Sequence, residues 1–327
     1  MPRVLVAGKL HPAGLKLLSD APDVTFEYVE DTSTEAMLPH LHQAEAVLLR
    51  VQDMSAPIIA QAPDLKLVSR HGVGYDAVDV DALNARGIAL SLVGDVNAQT
   101  VAEHAMMLLL SASHRIPVYD KAARPGGDWG YRNSLSAREI SGKTFLIVGF
   151  GRIGRRVAKM AAGFDMKVIA FDPFLPVDAS LPPGVTRADD LHAGLREADM
   201  VTLHMPKQDD RPILGAEELA LLPPHGVVIN TARGGLIDEQ ALNQALSSGK
   251  LHSAGLDVFA EEPPGSDLPL LGAPQIVLTP HSASMTAECA ERMAIVAARN
   301  ILDYFNGSLD PALVVNSDAV ALPGKPE

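Results

Sequence analysis

Residues Gly149 to Gly154 read Gly-Phe-Gly-Arg-Ile-Gly, a spacing that can bring backbone N–H groups close to a phosphate. The apolar run Thr144 to Val148 precedes them and is typical of a buried strand. Ile153, Val157 and Ala161 follow at the spacing of one helix face. The three glycines would allow a tight turn, an approach to a pyrophosphate and close helix–strand packing. The helix start would offer N–H groups and partial positive charge to that pyrophosphate.

A second apolar run, Val168 to Phe171, ends at Asp172. A carboxylate there can accept hydrogen bonds from the adenosine ribose and would repel a 2′-phosphate, which favours NAD over NADP. An ordinary βαβ unit with a glycine-rich turn is the alternative interpretation. The strand, turn, helix, strand and acid nevertheless occur in the order that dinucleotide binding requires. The sequence therefore predicts NAD as the cofactor.

A bound nicotinamide needs a protein group that moves a proton while the hydride moves. His281 is the best placed of the eleven histidines, because it follows the strand-like run Ile276 to Thr279 and ligands of open α/β sheets bind at such strand ends. Arg233 follows the run Val227 to Asn230 and could hold a carboxylate by two parallel hydrogen bonds. Glu262 lies in a proline-stiffened loop and could pair with the histidine. From the residues alone, each of the three also fits a purely structural role.

Composition limits the class of protein. The 327 residues are enough for two domains, and 47% hydrophobic with 20% charged residues is typical of a globular protein. The net charge of −13 argues against nucleic acid or an anionic membrane as a partner. Cys289 is the one cysteine, and the N-terminus has no signal-peptide pattern, so we expect a cytoplasmic location. We expect no metal.

Strand-like and helix-like runs alternate along the chain, which predicts an α/β protein with parallel sheets. The strands predicted in the first hundred residues are Val4–Ala7, Val24–Tyr28, Ala46–Leu49, Leu67–Ser69 and Ile88–Leu90. Those predicted after the glycine-rich unit are Met200–His204, Val227–Asn230, Gly255–Val258 and Ile276–Thr279. A helical pattern is also predicted from Thr286 to Phe305.

Four blocks in this order resemble the D-isomer-specific 2-hydroxyacid dehydrogenases, a family that includes D-3-phosphoglycerate and hydroxypyruvate/glyoxylate enzymes. The blocks are Arg70 to Asp76, Gly149 to Gly154, Asn230 to Asp238, and Asp257 through Glu262 to His281. None of them would be sufficient alone, but together they are specific, and the resemblance extends over nearly the whole chain.

The resemblance implies two doubly wound parallel-sheet domains. A Rossmann nucleotide-binding domain, residues 99–283, is expected to be inserted into a flavodoxin-like substrate domain, residues 1–98 plus 284–327. The active site is expected between the domains. A homodimer is expected, with residues 105–130 contributing to it.

The resemblance also implies the site residues and the reaction, the interconversion of a small D-2-hydroxy acid and its 2-oxo acid. The implied catalytic residues are Arg233, Glu262 and His281. The implied cofactor-binding residues are Thr100, Gly149, Gly151, Arg152, Ile153, Gly154, Asp172, His204, Pro206, Thr231, Ala232 and Asp257, with Asp257 expected at the nicotinamide carboxamide. The implied substrate-binding residues are Arg50, His71, Val73, Gly74, Arg233 and Ser284.

Several positions depart from the family pattern. Lys207 to Arg211 replace the usual residues after Pro206, which leaves the adenine-side contacts of that loop open. Ser284 could point its hydroxyl at the substrate or cap the helix near Thr286. His71 could contact substrate or be a packed loop histidine.

Two other functions compete with the dehydrogenase: an NAD-sensing binding protein similar to a corepressor, and phosphite oxidation on the same scaffold.

Overall fold

The computed structural model of the protein describes residues 1–176 and 178–324. The chain divides into two compact units, Met1–Asn97 with Met285–Glu327, and Ala98–Ser284. Residues 325–327, which the sequence assigns to the substrate domain, and residue 177, which it assigns to the nucleotide domain, lie outside the described residues. The assignment of substrate to one unit and NAD to the other stays a prediction at this stage.

Strands and helices alternate in both units. The strands are β1 Arg3–Ala7, β2 Thr25–Val29, β3 Ala46–Leu49, β4 Leu67–Arg70, β5 Ala89–Ser91, β6 Thr144–Val148, β7 Lys167–Phe171, β8 Val185–Arg187, β9 Met200–Leu203, β10 Val227–Asn230, β11 Ser253–Leu256 and β12 Ile276–Leu278. The helices are α1 Pro12–Ser19, α2 Thr34–Leu41, α3 Ala56–Ile59, α4 Val80–Ala85, α5 Ala98–Ser113, α6 Ile116–Ala123, α7 Arg152–Ala162, α8 Leu191–Glu197, α9 Ala216–Leu219, α10 Glu239–Ser247 and α11 Ala287–Phe305. None of the helices in the described ranges combines the length and the apolar character of a bilayer-spanning segment.

The first unit contains a five-stranded sheet in the order β2-β1-β3-β4-β5, with every pairing parallel. This is the flavodoxin-like order. Val4 and Val6 share a core with Met293 of α11, whereas Leu5 lies in a second core with Met37 of α2. Because successive side chains of a strand point to opposite faces, the apolar run of β1 supplies both layers. Both faces of the sheet are therefore covered by helices.

The second unit contains a seven-stranded parallel sheet in the order β12-β11-β10-β9-β6-β7-β8. Counted from β6, this is the Rossmann order with one further strand at the β12 edge. Ile147 packs in a core with Val157 of α7 and Leu108 of α5, while Leu146 packs in a core with Leu242 of α10. The predicted fold class, with one doubly wound unit inserted in the chain of another, is confirmed.

The register of the second sheet aligns the ends of six strands. Leu278, Leu256, Asn230, Leu203, Val148 and Phe171 form one row of paired residues across the sheet. The residues that come directly after this row are Thr279, Asp257, Thr231, His204, Gly149 and Asp172. All six strands run the same way, so these residues lie along a single edge of the sheet.

Two sequence-based expectations need correction. The strand predicted at Gly255–Val258 is Ser253–Leu256, because the small residues Ser253 and Ala254 are fully buried and pair with β10 and β12. The strand β8 was not predicted, since its three residues are only partly buried and form no apolar run. Gly163 lies at the C-terminal cap of α7.

We predict that Gly14→Ala destabilises the first unit. A Cβ at this position of α1 would lie 2.8 Å from the carbonyl oxygen of Ala294 and 2.9 Å from its Cβ on α11. Overpacking costs about 1–3 kcal/mol, and the gain in helix propensity offsets only about 0.5–1 kcal/mol. Urea unfolding followed by circular dichroism should give a lower midpoint. Gly272→Ala is the control, because no atom lies within 4 Å of its added Cβ. A midpoint for Gly14→Ala at or above the wild-type value would contradict the packing argument.

Candidate active site

The glycine-rich loop joins β6 to α7. Gly149 has φ of +90°, and a Cβ there would lie 2.5 Å from the carbonyl oxygen of His204. A Cβ on Gly154 would collide with the carbonyl oxygen of Gly149. A Cβ on Gly151, the N-cap of α7, would meet no atom within 4 Å. The first and third glycines are therefore required by the fold, and the second leaves open space at the start of the helix, as a pyrophosphate site needs.

Asp172 connects the end of β7 to this loop. Its Oδ2 accepts a hydrogen bond from the N–H of Phe150 at 2.8 Å, and its Oδ1 accepts from the N–H of Phe174 at 2.9 Å. A carboxylate oxygen has more than one lone pair, so each oxygen can accept a further hydrogen bond from a ligand. The acid thus holds the backbone of the glycine loop and can still accept hydrogen bonds from a ligand. Its contact with an adenosine ribose stays a prediction.

Two polar atoms near the sheet edge are buried without a hydrogen-bond partner among the described residues. They are Nδ1 of His204 and Oγ1 of Thr231. The other ring nitrogen of His204 contacts the hydroxyl of Thr202 at 3.0 Å, and burial lowers the pKa of His204 to about 3, so the ring is neutral at physiological pH. Unsatisfied buried polar atoms beside an open glycine loop fit a site that a polar cofactor completes.

The remaining cofactor candidates lie around the same edge. Thr100 is buried in the first turn of α5, Arg152 and Ile153 begin α7, Pro206 is exposed after β9, and Ala232 follows Thr231. The N–H of Ala232 donates to Oδ1 of Asn230 at 2.9 Å, and the side-chain amide of Asn230 donates to the carbonyl oxygen of Arg233 at 2.8 Å. These bonds hold the turn after β10. The cofactor role of each residue stays a prediction.

His281 and Glu262 are in direct contact. Nδ1 of His281 lies 2.5 Å from Oε2 of Glu262, and the other oxygen of Glu262 accepts from the N–H of Phe259 at 3.0 Å. The histidine side chain is 55% exposed and the glutamate side chain 35% exposed. An ionised carboxylate has no proton and can only accept hydrogen bonds, so the proton in this contact belongs to Nδ1 of the ring. Nε2 is then the ring nitrogen that can exchange a proton with a ligand.

Asp257 controls the backbone at His281. His281 has φ of +48°, a left-handed conformation that costs a non-glycine residue about 1–3 kcal/mol. The carbonyl oxygen of Asp257 accepts from the N–H of His281 at 2.7 Å, and its carboxylate accepts from the N–H groups of Ser282 and Ala283 at 2.8 and 2.9 Å. The carboxylate is thus engaged by the protein, and Asp257 is fully buried. Its expected contact with a carboxamide stays a prediction.

The turn that carries Arg233 packs closely against the backbone of the loop that carries Glu262. A Cβ on Gly234 would collide with the carbonyl oxygen of Phe259, so only glycine fits where these two loops meet. Nη1 of Arg233 donates to the carbonyl oxygen of Ala232 at 2.6 Å. Glu239, at the start of α10, accepts from the N–H of Ala260 at 2.7 Å and ties down the same loop. Within the second unit, the turn that carries Arg233 therefore contacts the loop that carries Glu262, and Glu262 in turn contacts His281.

The substrate candidates of the first unit follow β3 and β4. Arg50 and His71 come directly after Leu49 and Arg70, which are paired in the sheet. Nη1 of Arg50 donates to the carbonyl oxygen of Lys9 at 2.5 Å. His71 is 6% exposed, and its Nε2 has no hydrogen-bond partner among the described residues. Val73 packs beside the α11 core, and Gly74 follows it.

The ring of His71 is neutral at physiological pH. Burial, followed by the charges of Arg50 and Arg70, lowers the pKa of His71 to about 4. Because the unfolded chain binds the proton at higher pH, protonation of this residue opposes folding as pH falls from about 6.5 towards 4. The packed-histidine interpretation fits this burial, and a neutral ring could still donate or accept one hydrogen bond to a substrate.

One expectation about Ser284 is wrong. The cap of α11 is Thr286, whose hydroxyl accepts from the N–H of Cys289 at 3.2 Å. Ser284 lies two residues earlier, in a turn, and is half-buried. The capping interpretation of Ser284 is therefore excluded, and its substrate contact stays a prediction.

Sequence reasoning also missed two residues that contact the buried Asp257. The hydroxyl of Thr279 donates to Oδ1 of Asp257 at 2.6 Å, and Nε2 of His104 lies 2.9 Å from that hydroxyl. The position of Thr279 at the end of β12 could have indicated it. No local pattern indicates His104, which lies on α5, far away in the sequence.

Comparison with known proteins identifies the family. Residues 106–283 match the family model described as "D-isomer specific 2-hydroxyacid dehydrogenase, NAD binding domain". The chain is 34% identical over 323 residues to a glyoxylate reductase of Aeropyrum pernix, covering 96% of each chain. The chain belongs to the D-isomer-specific 2-hydroxyacid dehydrogenase family. The resemblance that the sequence motifs indicated is thereby confirmed, and the second unit contains the NAD-binding domain of this family.

Other members of the family are similarly related to the chain. It is 39% identical over 318 residues to a D-3-phosphoglycerate dehydrogenase of Mycobacterium tuberculosis; the match covers 96% of this chain but only 59% of that longer relative. Among solved structures, the NADPH-dependent glyoxylate/hydroxypyruvate reductase of Sinorhizobium meliloti, in complex with citrate, superposes with a TM-score of 0.85 at 28% identity, covering 98% of this chain and 99% of that one. These relatives are named for different substrates, and of the three only the Sinorhizobium meliloti enzyme is named for a cofactor, NADPH, so the substrate needs a separate argument.

We predict that Asp172→Ala reduces the preference for NADH over NADPH. Loss of the carboxylate removes a charged acceptor for the ribose and the repulsion of a 2′-phosphate, so NADH binding should weaken about tenfold and NADPH binding less. Titration of nicotinamide fluorescence measures both dissociation constants. Asp178→Ala removes the same charge from an exposed neighbouring position and should leave the ratio unchanged. Tighter binding of NADPH than NADH by the wild-type protein would refute our interpretation of this acid.

Proposed function

We propose that the protein is an NAD-dependent oxidoreductase that interconverts a small D-2-hydroxy acid and its 2-oxo acid, of the hydroxypyruvate, glyoxylate or 3-phosphoglycerate type. The observation that carries the proposal is the hydrogen bond between His281 and Glu262 at the carboxyl edge of a sheet that also carries the glycine loop. An imidazole held at one nitrogen by a carboxylate can give and take a proton at the other nitrogen.

Bound NADH supplies the hydride for reduction of the 2-oxo acid. The start of α7 and the loop Gly149 to Gly154 are proposed to hold the pyrophosphate, and Asp172 the adenosine ribose. Thr231 and His204, each with an unsatisfied buried polar atom, are proposed to complete the polar contacts of the cofactor. The sequence-based cofactor set thus has support from the fold.

His281 is proposed to donate the proton. Nδ1 holds its hydrogen bond to Glu262, and Nε2 transfers a proton to the substrate oxygen as negative charge develops on it. The carboxylate of Glu262 balances the charge of the imidazolium and fixes the orientation of the ring. In oxidation the neutral ring accepts the proton at Nε2.

Arg233 is proposed to bind the substrate carboxylate. A guanidinium can form two parallel hydrogen bonds to a carboxylate, and its positive charge also stabilises an oxyanion that develops beside it. The first unit is proposed to contribute Arg50, His71, Val73 and Gly74 to substrate recognition, and Ser284 is a further candidate. The dimer and the cytoplasmic location that the sequence predicts stay predictions.

A panel of 2-oxo acids with NADH or NADPH tests the proposed function. Oxidation of the reduced cofactor is followed by its absorbance with hydroxypyruvate, glyoxylate, phosphohydroxypyruvate, pyruvate and bulkier acids, and the products are checked for D configuration. We expect turnover with at least one small acid and NADH. Tight NADH binding without turnover on any acid would favour the NAD-sensing binding protein, and NAD reduction by phosphite alone would favour the phosphite dehydrogenase.

We predict that His281→Ala lowers kcat on the best 2-oxo acid about 100-fold or more, because the variant has no group that donates the proton at this position. The dissociation constant for NADH should remain close to that of the wild type. His114→Ala removes an exposed histidine after α5 and serves as the control. Wild-type turnover by His281→Ala would eliminate this residue as the proton donor.

A further inference from the structure

The backbone that carries His281 is held by one buried acid. Three consecutive N–H groups, those of His281, Ser282 and Ala283, donate to the carbonyl oxygen and the two carboxylate oxygens of Asp257. His281 itself adopts φ of +48°, which a non-glycine residue keeps only where its surroundings enforce it. The direction in which the His281 ring leaves the chain therefore depends on the position of the Asp257 carboxylate.

This carboxylate is ionised although it is buried. Its side chain is 1% exposed, and burial alone would raise its pKa. Hydrogen bonds from His104, Thr279 and the two backbone N–H groups outweigh burial, so the pKa of Asp257 is lowered from its ordinary value. A buried carboxylate stays ionised and in position only while its hydrogen-bond donors are present, because each lost donor leaves an oxygen less well satisfied.

The side-chain donors form a chain with a defined direction. The hydroxyl of Thr279 donates its single hydrogen to Oδ1 of Asp257 at 2.6 Å. Its oxygen must then accept from His104, whose Nε2 lies 2.9 Å away. Nε2 of His104 also lies 3.4 Å from Oδ1 of Asp257. Nε2 of His104 therefore carries a proton, and α5 is linked to the His281 loop through two side chains.

We propose that His104 and Thr279 are positioning residues for His281, and that they act by holding the Asp257 carboxylate against the backbone N–H groups of Ser282 and Ala283, which directly follow His281. The catalytic consequence depends on the proposed function of His281 in proton transfer. The hydrogen bonds that hold the Asp257 carboxylate do not depend on that function. We call the set His104, Thr279 and Asp257 the loop support.

Paired variants test the loop support. Thr279→Val keeps the shape of the side chain without its hydroxyl, whereas Thr279→Ser keeps the hydroxyl. His104→Leu removes the donor, whereas the side-chain amide of His104→Gln can replace it. His114→Leu removes an exposed histidine as a control. If Thr279→Val does not fold, His104→Leu tests the same link from the other end of the chain.

The first measurement does not require activity. Hydrogen exchange of the Ser282 and Ala283 amides should accelerate about tenfold in Thr279→Val and His104→Leu, since a hydrogen bond to a charged group is weakened. Exchange in Thr279→Ser, His104→Gln and His114→Leu should stay within about twofold of the wild type. Unchanged exchange in folded Thr279→Val and His104→Leu would overturn the loop support.

The second measurement is steady-state kinetics on the best 2-oxo acid. Thr279→Val and His104→Leu should lower kcat about tenfold, with the KM for NADH nearly unchanged, and the conservative variants should recover most of kcat. A rise in the KM for NADH at constant kcat would overturn positioning and support a direct contact of Asp257 with the cofactor. Unchanged kcat despite accelerated exchange would overturn the catalytic consequence. If the wild-type protein turns over no 2-oxo acid, the proposed function fails, and the exchange data still decide whether the loop support exists.

Discussion

The structure depends on the register of one parallel sheet. Because Leu278, Leu256, Asn230, Leu203, Val148 and Phe171 form a single paired row, the chain leaves six strands at the same level. The residues that follow include the first glycine of the glycine-rich loop, the acid after β7 and the acid that holds the His281 loop. A shift of one residue in any strand would move its side chains to the opposite face of the sheet and move its site residue away from this level.

Beyond this edge, contacts between loops hold the backbone in place where there are no strands or helices. Glycine at position 234 lets the turn after β10 touch the backbone of the Glu262 loop. Glu239 and Glu262 each accept a backbone N–H from that loop, and the second oxygen of Glu262 then meets His281. Glu239 and Glu262 thus each hold the backbone with one oxygen, and in Glu262 the other oxygen remains for the imidazole.

Much of the architecture could be predicted from the sequence, because buried parallel strands are short apolar runs and the glycine loop has a recognisable spacing. The runs that became β3 and β10 matched the structure residue for residue. The start of β11 was missed because a buried serine interrupts its apolar pattern. Likewise, β8 lacks an apolar run because its residues are only partly buried.

The candidate site could be predicted from the sequence less completely than the fold. Spacing placed His281 and Arg233 at strand ends, but family resemblance was needed to choose Glu262 among forty acidic residues. The capping role expected as one alternative for Ser284 belongs to Thr286, since helix starts cannot be located to one residue from pattern alone. The contact of His104 with Thr279 joins residues 175 positions apart and arises from the packing of α5, so no local pattern predicts it.

We propose that Glu262 holds one nitrogen of His281 so that the other nitrogen can exchange a proton with the substrate. A crystal structure of the protein with NAD and oxamate, an unreactive analogue of a 2-oxo acid, tests it most directly. We expect Nε2 of His281 to lie about 2.6–3.2 Å from the carbonyl oxygen of oxamate while Nδ1 keeps its hydrogen bond to Glu262. A complex in which Nε2 points away from the analogue, and another acid or base contacts that oxygen, would contradict it.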